Sequence, residues 1–338
     1  MPVNKTARTV QISLPSGESA EIYYYGATVT SWIAGGKERL FVSGKAALDG
    51  SKPIRGGIPI CWPIFGPPPK EADASLQYHA KLSQHGFARN HNWTLDHVVM
   101  DRPTGVSVKF TLDPTPEIIS IFPHPFHLSY VVTLTKHELS TDLHVVNPSP
   151  TKSLTGAVSA AITSALPASV VGSESKVPQS AADDAAHHEL KFQALFHTYL
   201  AVSDASRVKI KGLKQGLTYL DKVGPQGWTE RTWQGGDLVI DKQVDRVYYG
   251  LGKHEDVVLE DGEDKLTVHR VELTDVTTWN PTAEAGAGIA DMEPNGWVRL
   301  LLAVNLGAFS YLTLLPPSYR TPGQEWIGQQ VLKIAGGA

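Results

Sequence analysis

Two short loops of the sequence carry closely spaced groups that bind anions. "IRGG" places Arg55 directly before two glycines, and "QHGFARN" holds Gln84, His85 and Arg89. Glycine tolerates positive φ, so the Gly-Gly pair permits a tight backbone path that presents the guanidinium from a loop. Two guanidiniums in one pocket would form a strong phosphate site, because the planar fork matches phosphate oxygens in pairs. The alternative is that each arginine pairs with a carboxylate, as isolated arginines more often do.

Later segments offer groups for proton transfer. His197 in "LFHTYL" has apolar neighbours and could exchange a proton near neutral pH, although such a histidine is more often a half-buried structural residue. Asp221 in "YLDK" stands at the end of a strand-like run. The spacing of His124 and His127 resembles a metal-ligand pair only weakly, since no third ligand pattern accompanies it. We expect no catalytic metal and no cofactor.

The elements that position these groups are predicted to be strands. Runs rich in Val, Ile, Thr and Tyr recur along the whole chain between turn-forming residues, and "SVKFTL" and "STDLHVV" alternate apolar and polar residues. The 23 prolines and 30 glycines disfavour helices of three or more turns. We therefore expect an all-β protein, a large antiparallel β-sandwich of about fifteen to twenty strands whose loops carry the function.

Strand patterning continues on both sides of an Ala/Ser-rich segment, which indicates a single domain over residues 1–338. We interpret the part of this segment around residues 172–188 as an exposed loop, because it contains little to bury. No internal repeat of fixed period is evident.

Composition narrows the classes of partner. The chain has 338 residues with 30 basic and 34 acidic side chains, a formal charge of -4, and no Lys/Arg run that could track a phosphate backbone, so nucleic acid is excluded as a partner. The single Cys61 excludes an internal disulfide framework. No segment has the apolar length of a signal peptide or a membrane span, which favours a cytoplasmic protein that does not bind membranes.

Seven motifs, taken in order, resemble one family. They are similar to motifs of the glucose-6-phosphate 1-epimerase (hexose-6-phosphate mutarotase) branch of the aldose 1-epimerase superfamily. The seven motifs are "IRGGIPICWPIFGP", "QHGFARNHNW", "FHTYL", "YLDK", "DRVYYG", "TWNP" and "PGQEWIGQQVL". The resemblance covers almost the whole chain. It implies a single-domain antiparallel supersandwich of the galactose mutarotase-like fold, a monomer, and a small-molecule hexose phosphate as ligand.

The resemblance also implies roles for the two loops. In the family pattern the arginines of "IRGG" and "HGFARN" bind the phosphate, which assigns that role to Arg55 and Arg89. The glutamine and histidine of "QHG" face the sugar, so Gln84 and His85 are expected to line the pocket.

The acid and base of the implied reaction are not equally present. The resemblance makes His197 the general acid that protonates the ring oxygen, and makes Asp221 a ligand of sugar hydroxyls. The family's general base is a glutamate in a run similar to "CVEPG", whereas the corresponding run here, "LLAVNLGAF", has Asn305. An amide cannot accept a proton at useful pH, and the nearest acidic residues are Asp291 and Glu293.

Three hypotheses follow from this departure. The first is an active mutarotase that interconverts the α and β anomers of glucose 6-phosphate, with water or His85 in place of the missing base. The second is a non-catalytic family member that binds a sugar phosphate. The third is an enzyme repurposed to another carbonyl or hydroxyl substrate, in which Asn305 orients the reacting group.

Overall fold

The computed structural model describes residues 2–70, 76–148, 189–252, 254–282, 286–291, 300–306 and 318–335, and for residues 300–306, 318 and 319 it describes the backbone alone. Strands dominate this part of the chain, which confirms the all-β prediction. In chain order they are β1 (Val3–Lys5), β2 (Thr9–Ser13), β3 (Ser19–Tyr23), β4 (Val29–Ala34), β5 (Lys37–Glu38), β6 (Ile60–Cys61), β7 (Thr94–Arg102), β8 (Gly105–Leu112), β9 (His127–Thr135), β10 (Glu138–Val146), β11 (Leu190–Phe192), β12 (Ala194–Leu200), β13 (Lys209–Lys211), β14 (Thr218–Asp221), β15 (Thr229–Thr232), β16 (Leu238–Val239), β17 (Val244–Tyr248), β18 (Val257–Asp261), β19 (Asp264–Val271), β20 (Asp275–Asn280), β21 (Leu300–Leu306), β22 (Ser318–Arg320) and β23 (Glu325–Ile334).

A short α-helix lies between β8 and β9. Helix α1 (Pro116–Ile121) begins where the Thr115 hydroxyl accepts a hydrogen bond from the Ile118 amide, with proline in its first turn. Both features are typical helix-start signals. The described residues contain more strands than the sequence predicted, because several are only two or three residues long and carry no visible alternation.

Two large antiparallel sheets form the body of the protein. The nine-stranded sheet has the order β16-β13-β18-β19-β23-β10-β9-β8-β7, and the seven-stranded sheet has the order β15-β14-β17-β20-β21-β12-β6. A five-stranded sheet, β1-β2-β3-β4-β5, and the pair β11-β22 complete the described strands. The predicted large antiparallel β-sandwich is therefore confirmed.

Alternation of side chains explains which strands can hold a site. Strand β10 alternates half-buried and buried residues and so has one covered face, whereas every residue of β12 is buried. One face of β12 packs in the main apolar core through Phe196, and Thr198 donates a hydrogen bond of 2.8 Å to the Gln330 side chain of the nine-stranded sheet. The other face of β12 is left to hold His197.

Trp62 fixes the loop that contains the "QHGFARN" motif. Its ring packs on Phe87 and Phe126, with centroids 5.3 and 4.8 Å away, and its carbonyl oxygen accepts hydrogen bonds from the amides of Phe87 and Ala88. A Cβ atom at Gly86 would lie 2.1 Å from the same oxygen. Only glycine fits there, so the loop is held against the end of β6.

The "IRGG" loop also depends on its glycines. Gly56 and Gly57 have φ values of 130° and 68°, which confirms the predicted positive φ. A Cβ at Gly57 would lie 2.1 Å from the Val29 carbonyl oxygen, and one at Gly56 would lie 2.3 Å from that of Phe41. The backbone before β6 therefore runs close against two neighbouring segments and presents Arg55 at a fixed point.

The predicted exposed loop around residues 172–188 lies outside the described residues, and the single-domain organisation stays a prediction. No helix in the described part of the chain is long and apolar enough to cross a membrane.

The close contact at Gly86 predicts a large cost for a single methyl group. We expect Gly86→Ala to lower the free energy of unfolding by more than about 1 kcal/mol, because φ is positive and the new Cβ would clash with the Trp62 carbonyl. Gly17→Ala is the matched control, since Gly17 also has positive φ but no atom within 4 Å of the new Cβ. Chemical denaturation of both variants tests this, and equal losses would show that the close contact contributes nothing.

Candidate active site

A continuous file of rings brings the "QHGFARN" loop against strand β12. We call it the aromatic file: it contains Phe65, His85, His197, Tyr199 and Phe41. Successive ring centroids lie 5.2, 5.4, 5.0 and 6.4 Å apart. The two histidines that the sequence singled out are therefore in direct contact, one from a loop and one from a strand.

Strand register shows which positions share the face of His197. On β21 the residue paired with His197 is Ala303, and Asn305 pairs with Leu195 on one side and with Asp275 on the other. Residues that are paired across strands, or two apart along one strand, share a face of the sheet. The position of Asn305 is therefore diagonal to His197 on the same face, where an acid and a base could act on one substrate.

His85 is held in one neutral tautomer. Its φ is 68°, and its Nδ1 atom accepts a hydrogen bond of 3.0 Å from the backbone amide of Gly66. An amide can only donate, so Nδ1 carries no proton and Nε2 does. Burial, reinforced by His197 and Arg89, holds the pKa of His85 well below its usual value. In this state His85 donates from Nε2, which disfavours the hypothesis that His85 acts as the base in place of residue 305.

His197 is also neutral in the free protein. Burial is the main cause that holds its pKa well below the ordinary value, and the charges of Arg89 and Arg55 act in the same direction. Its Nδ1 atom is buried and has no hydrogen-bond partner among the described residues. Among the described residues, Nδ1 of His197 therefore makes no hydrogen bond, whereas Nδ1 of His85 accepts one.

Arg55 is fixed by two partners beside the aromatic file. Its Nη1 donates to the Tyr199 hydroxyl at 3.2 Å, and its Nε lies 3.1 Å from an Asp291 carboxylate oxygen. Burial opposes the Arg55 cation, but Tyr199 and Asp291 more than offset this and raise its pKa. The guanidinium is thus positioned and permanently charged. Asp291, a sequence candidate for the base, is engaged with this arginine.

Arg89 is the cation of the site that has no counter-ion among the described residues. Its Nη2 donates to the Gln84 carbonyl oxygen at 3.0 Å, its Nε is buried without a partner, and it makes no ion pair within the described part of the chain. The side-chain amide of Gln84 lies 3.4 Å from Nε2 of His85, and since Nε2 carries the proton, the amide accepts the hydrogen bond through its oxygen. The structure thus brings together five of the sequence-predicted residues: Arg55, Gln84, His85, Arg89 and His197.

Asp221 is not brought together with them. Its carboxylate lies 3.5 Å from Arg246 Nε and 3.9 Å from Arg231 Nε. In the register of the sheet, Asp221 on β14 lies opposite Arg246 on β17, and Arg246 lies opposite Thr278 on β20. Thr277, not Thr278, shares the register row of Ala303 and His197. This places Asp221 on the opposite face of the sheet, so its role as a hydroxyl ligand stays a prediction.

Sequence reasoning missed a second charged pair on the His197 face. Lys222 Nζ lies 3.5 Å from Asp245, 5.1 Å from the ring centroid of Phe65 and 5.4 Å from that of Trp228. Burial raises the pKa of Asp245, and Lys222 partly opposes this. Alternation along one strand could not have identified this pair, because Asp245 shares the face of His197 only through the register of β17, β20, β21 and β12.

Other reactive groups give the site no further chemistry. Burial raises the pKa of the Cys61 thiol to about 12, so it stays protonated. Within the ranges that the structure describes, no group of three or more His, Cys, Asp or Glu residues could hold a metal ion.

Comparison with known proteins identifies the lineage. Residues 8–160 match the family described as Aldose 1-epimerase. A Cenchrus ciliaris protein named "Putative glucose-6-phosphate 1-epimerase" is 32% identical over 93% of this chain and 80% of the relative. The chain belongs to the aldose 1-epimerase family. An Escherichia coli K12 protein of the same name is 27% identical over 80% of this chain and 74% of its own length.

Solved structures agree on the fold of this aldose 1-epimerase family member. A mutarotase-related crystal structure from Salmonella typhimurium has a TM-score of 0.72 at 23% identity and covers 98% of this chain and 92% of that one. A Synechocystis sp. PCC 6803 protein has a TM-score of 0.72 at 17% identity and covers 99% and 98%. The galactose mutarotase-like fold is thus confirmed, and the family is one of isomerases that act on sugars.

The two neutral histidines predict a loss of stability in acid. Their pKa values are lowered on folding, so the unfolded chain binds more protons below about pH 6.5, and the free energy of unfolding falls as the pH drops from about 7 to about 5. Asp275, whose pKa burial raises to about 6, acts in the opposite direction. The test therefore compares how much the free energy of unfolding falls with pH in the wild type and in each variant.

Urea denaturation at pH 7 and pH 5 should show a smaller loss in His197→Gln than in the wild type. His97→Gln, at a site where the side chain is 55% exposed, serves as the control and should keep the wild-type loss. An unchanged loss in His197→Gln would contradict the neutral, buried state of this residue.

Proposed function

We propose that this protein is a hexose-6-phosphate mutarotase that interconverts the α and β anomers of glucose 6-phosphate. The observation that carries the proposal is the Arg89 guanidinium, which has no ion pair among the described residues and which acts together with Arg55 on the His85–His197 ring pair. Membership of the aldose 1-epimerase family supports sugar anomers as the substrate class, and the two arginines support a phosphorylated one.

Arg55 and Arg89 hold the phosphate in this proposal. Both act electrostatically on His85, His197 and Tyr199, so both lie within reach of the same three side chains. Tyr199 and Asp291 orient Arg55, while the Gln84 carbonyl orients Arg89. Pre-oriented guanidiniums match a phosphate in pairs and lose little entropy on binding.

The sugar ring lies over the two histidines. His197 gives a proton to the ring oxygen, the bond from that oxygen to the anomeric carbon breaks, and the open aldehyde closes again from its opposite face. His85 donates from Nε2 to a sugar oxygen and Gln84 binds beside it. Asp221 binds hydroxyls only if a movement takes it from the face on which it pairs with Arg246.

The proton of the anomeric hydroxyl goes to water. Asn305 stands at the strand position of the family's base, and its amide can hydrogen-bond that hydroxyl without accepting the proton. Because His85 already uses its Nδ1 and Asp291 is paired with Arg55, neither is a ready substitute. Glu293 lies outside the described residues.

A second candidate function is sugar-phosphate binding without turnover. It is favoured by Asn305, since the loss of one member of an acid–base pair removes catalysis before it removes binding.

We further propose that the chain is a single domain that acts as a cytoplasmic monomer and binds neither membranes nor nucleic acid. The formal charge of -4 without basic runs supports the last point.

The direct test is the exchange rate between the two anomers of glucose 6-phosphate, measured by NMR magnetisation transfer. We expect the wild type to accelerate exchange above buffer, and His197→Gln to lower that acceleration by about 10²-fold or more, the usual contribution of one proton transfer. Asn305→Glu should raise it by a similar factor. A silent wild type with an active Asn305→Glu variant would favour the binding-only function, and silence of both would contradict an anomerase site.

Phosphate recognition has its own test. Arg89→Ala should weaken binding of glucose 6-phosphate by about 10- to 100-fold, since hydrogen bonds between charged groups contribute about 1.5–3 kcal/mol. Binding of unphosphorylated glucose should not change. Arg102→Ala, at an exposed position on β7, is the control and should bind like the wild type. Isothermal titration calorimetry measures the affinity of the wild type and of both variants for each sugar. An equal loss of affinity for glucose and for glucose 6-phosphate in Arg89→Ala would place Arg89 away from the phosphate.

A further inference from the structure

The imidazole of His197 lies in a field of positive charge. Arg89, Arg55 and Lys222 all act electrostatically against its protonated form. Arg55 reaches the ring pair through the Tyr199 hydroxyl, and the Tyr199 ring centroid is 5.0 Å from that of His197. A positive field and burial together keep the free site without a charged acid, although the proposed reaction needs a proton donor.

Titratable and charged groups reach His197 from several described elements. On β20, Asp275 shares the sheet face of the Asn305 position by register, and burial raises its pKa to about 6. Strand β12 contributes Tyr199 and strand β6 contributes Cys61, both neutral because burial raises their pKa. The remaining groups come from the "QHGFARN" loop, the "IRGG" loop and the end of β14, and they are Gln84, His85, Arg89, Arg55 and Lys222.

Only part of this charge is neutralised within the protein. Two of the cations have a carboxylate close by among the described residues. Asp291 lies 3.1 Å from Arg55, and Asp245 lies 3.5 Å from Lys222. Arg89 keeps its full charge, with no ion pair among the described residues. An anion at Arg89 and Arg55 would therefore cancel the part of the field that most disfavours a proton on His197.

The two rings differ in their ability to take that proton. Protonation of His85 at Nδ1 would break its hydrogen bond with the Gly66 amide. His197 has no such bond, because its Nδ1 has no partner among the described residues. A change in the local field should therefore appear as a proton on His197 and not on His85.

We propose that a dianion bound by Arg55 and Arg89 causes His197 to take up a proton from solvent, so that the site gains its acid only when the substrate's phosphate is bound. This rests on the proposed phosphate site. Over one turnover the protons balance: His197 gives its proton to the ring oxygen as the ring opens and water takes the anomeric proton, and ring closure reverses both transfers. The phosphate thus serves the chemistry at the far end of the sugar as well as binding.

Inorganic sulfate is the probe, because it is a dianion that does not titrate near neutral pH. Calorimetric titration with sulfate at pH 7, in two buffers of different ionisation enthalpy, gives the protons taken up per anion bound. We expect roughly 0.3–1 proton per sulfate, and sulfate affinity that falls as the pH rises from 6 to 8, by up to about 10-fold per pH unit. His197→Gln should still bind sulfate but without proton uptake.

His97→Gln, which alters an exposed histidine, is the control and should keep the wild-type uptake. As a second measurement, the ring Cε1–H resonance of His197, assigned by its absence in His197→Gln, should move to its protonated position on addition of sulfate. Sulfate binding without uptake, uptake that persists in His197→Gln, or no sulfate binding would each overturn the inference. Proton uptake in a protein that fails to accelerate anomer exchange would support this inference and overturn the mutarotase proposal. Accelerated anomer exchange without proton uptake would support the mutarotase proposal and overturn this inference.

Discussion

The contact between Gly86 and the Trp62 carbonyl is the constraint on which the site depends. Trp62 directly follows β6 and is buried in the main core. Its carbonyl oxygen accepts hydrogen bonds from the amides of Phe87 and Ala88 and leaves no room for a side chain at residue 86. Because β6 pairs with β12, the same contact sets the height of the loop relative to His197. Packing around Trp62 therefore helps to set the distance between the two histidine rings.

Charge in the site is arranged around this rigid frame. Arg55 and Lys222 each have a nearby carboxylate, while Arg89 is held by a backbone carbonyl that orients it without neutralising it. Arg89 is half-buried and has no ion pair among the described residues, so the site keeps a positive charge that favours a ligand supplying negative charge. The family relationship then indicates the class of that ligand, since the fold alone would not.

The sequence predicted the strands and the glycine-dependent loops well, because both follow from local rules. Alternation identifies a half-buried strand, and adjacent glycines before β6 indicate positive φ. It did not predict the contact of Phe65 with His85, the tautomer of His85 or the Lys222–Asp245 pair, because these depend on which loops meet in three dimensions. Asp221 shows the limit most clearly: a carboxylate one residue away from Lys222 lies on the opposite face of the sheet, and only the strand register reveals this.

The left-handed backbone at His85 restricts which residues can stand at this position. At a φ of 68°, glycine, asparagine and aspartate are the replacements that the main chain accepts readily, whereas β-branched residues would strain it. A substitution of His85 therefore changes two things at once: the ring that contacts Phe65 and His197, and the conformational strain that the loop backbone carries.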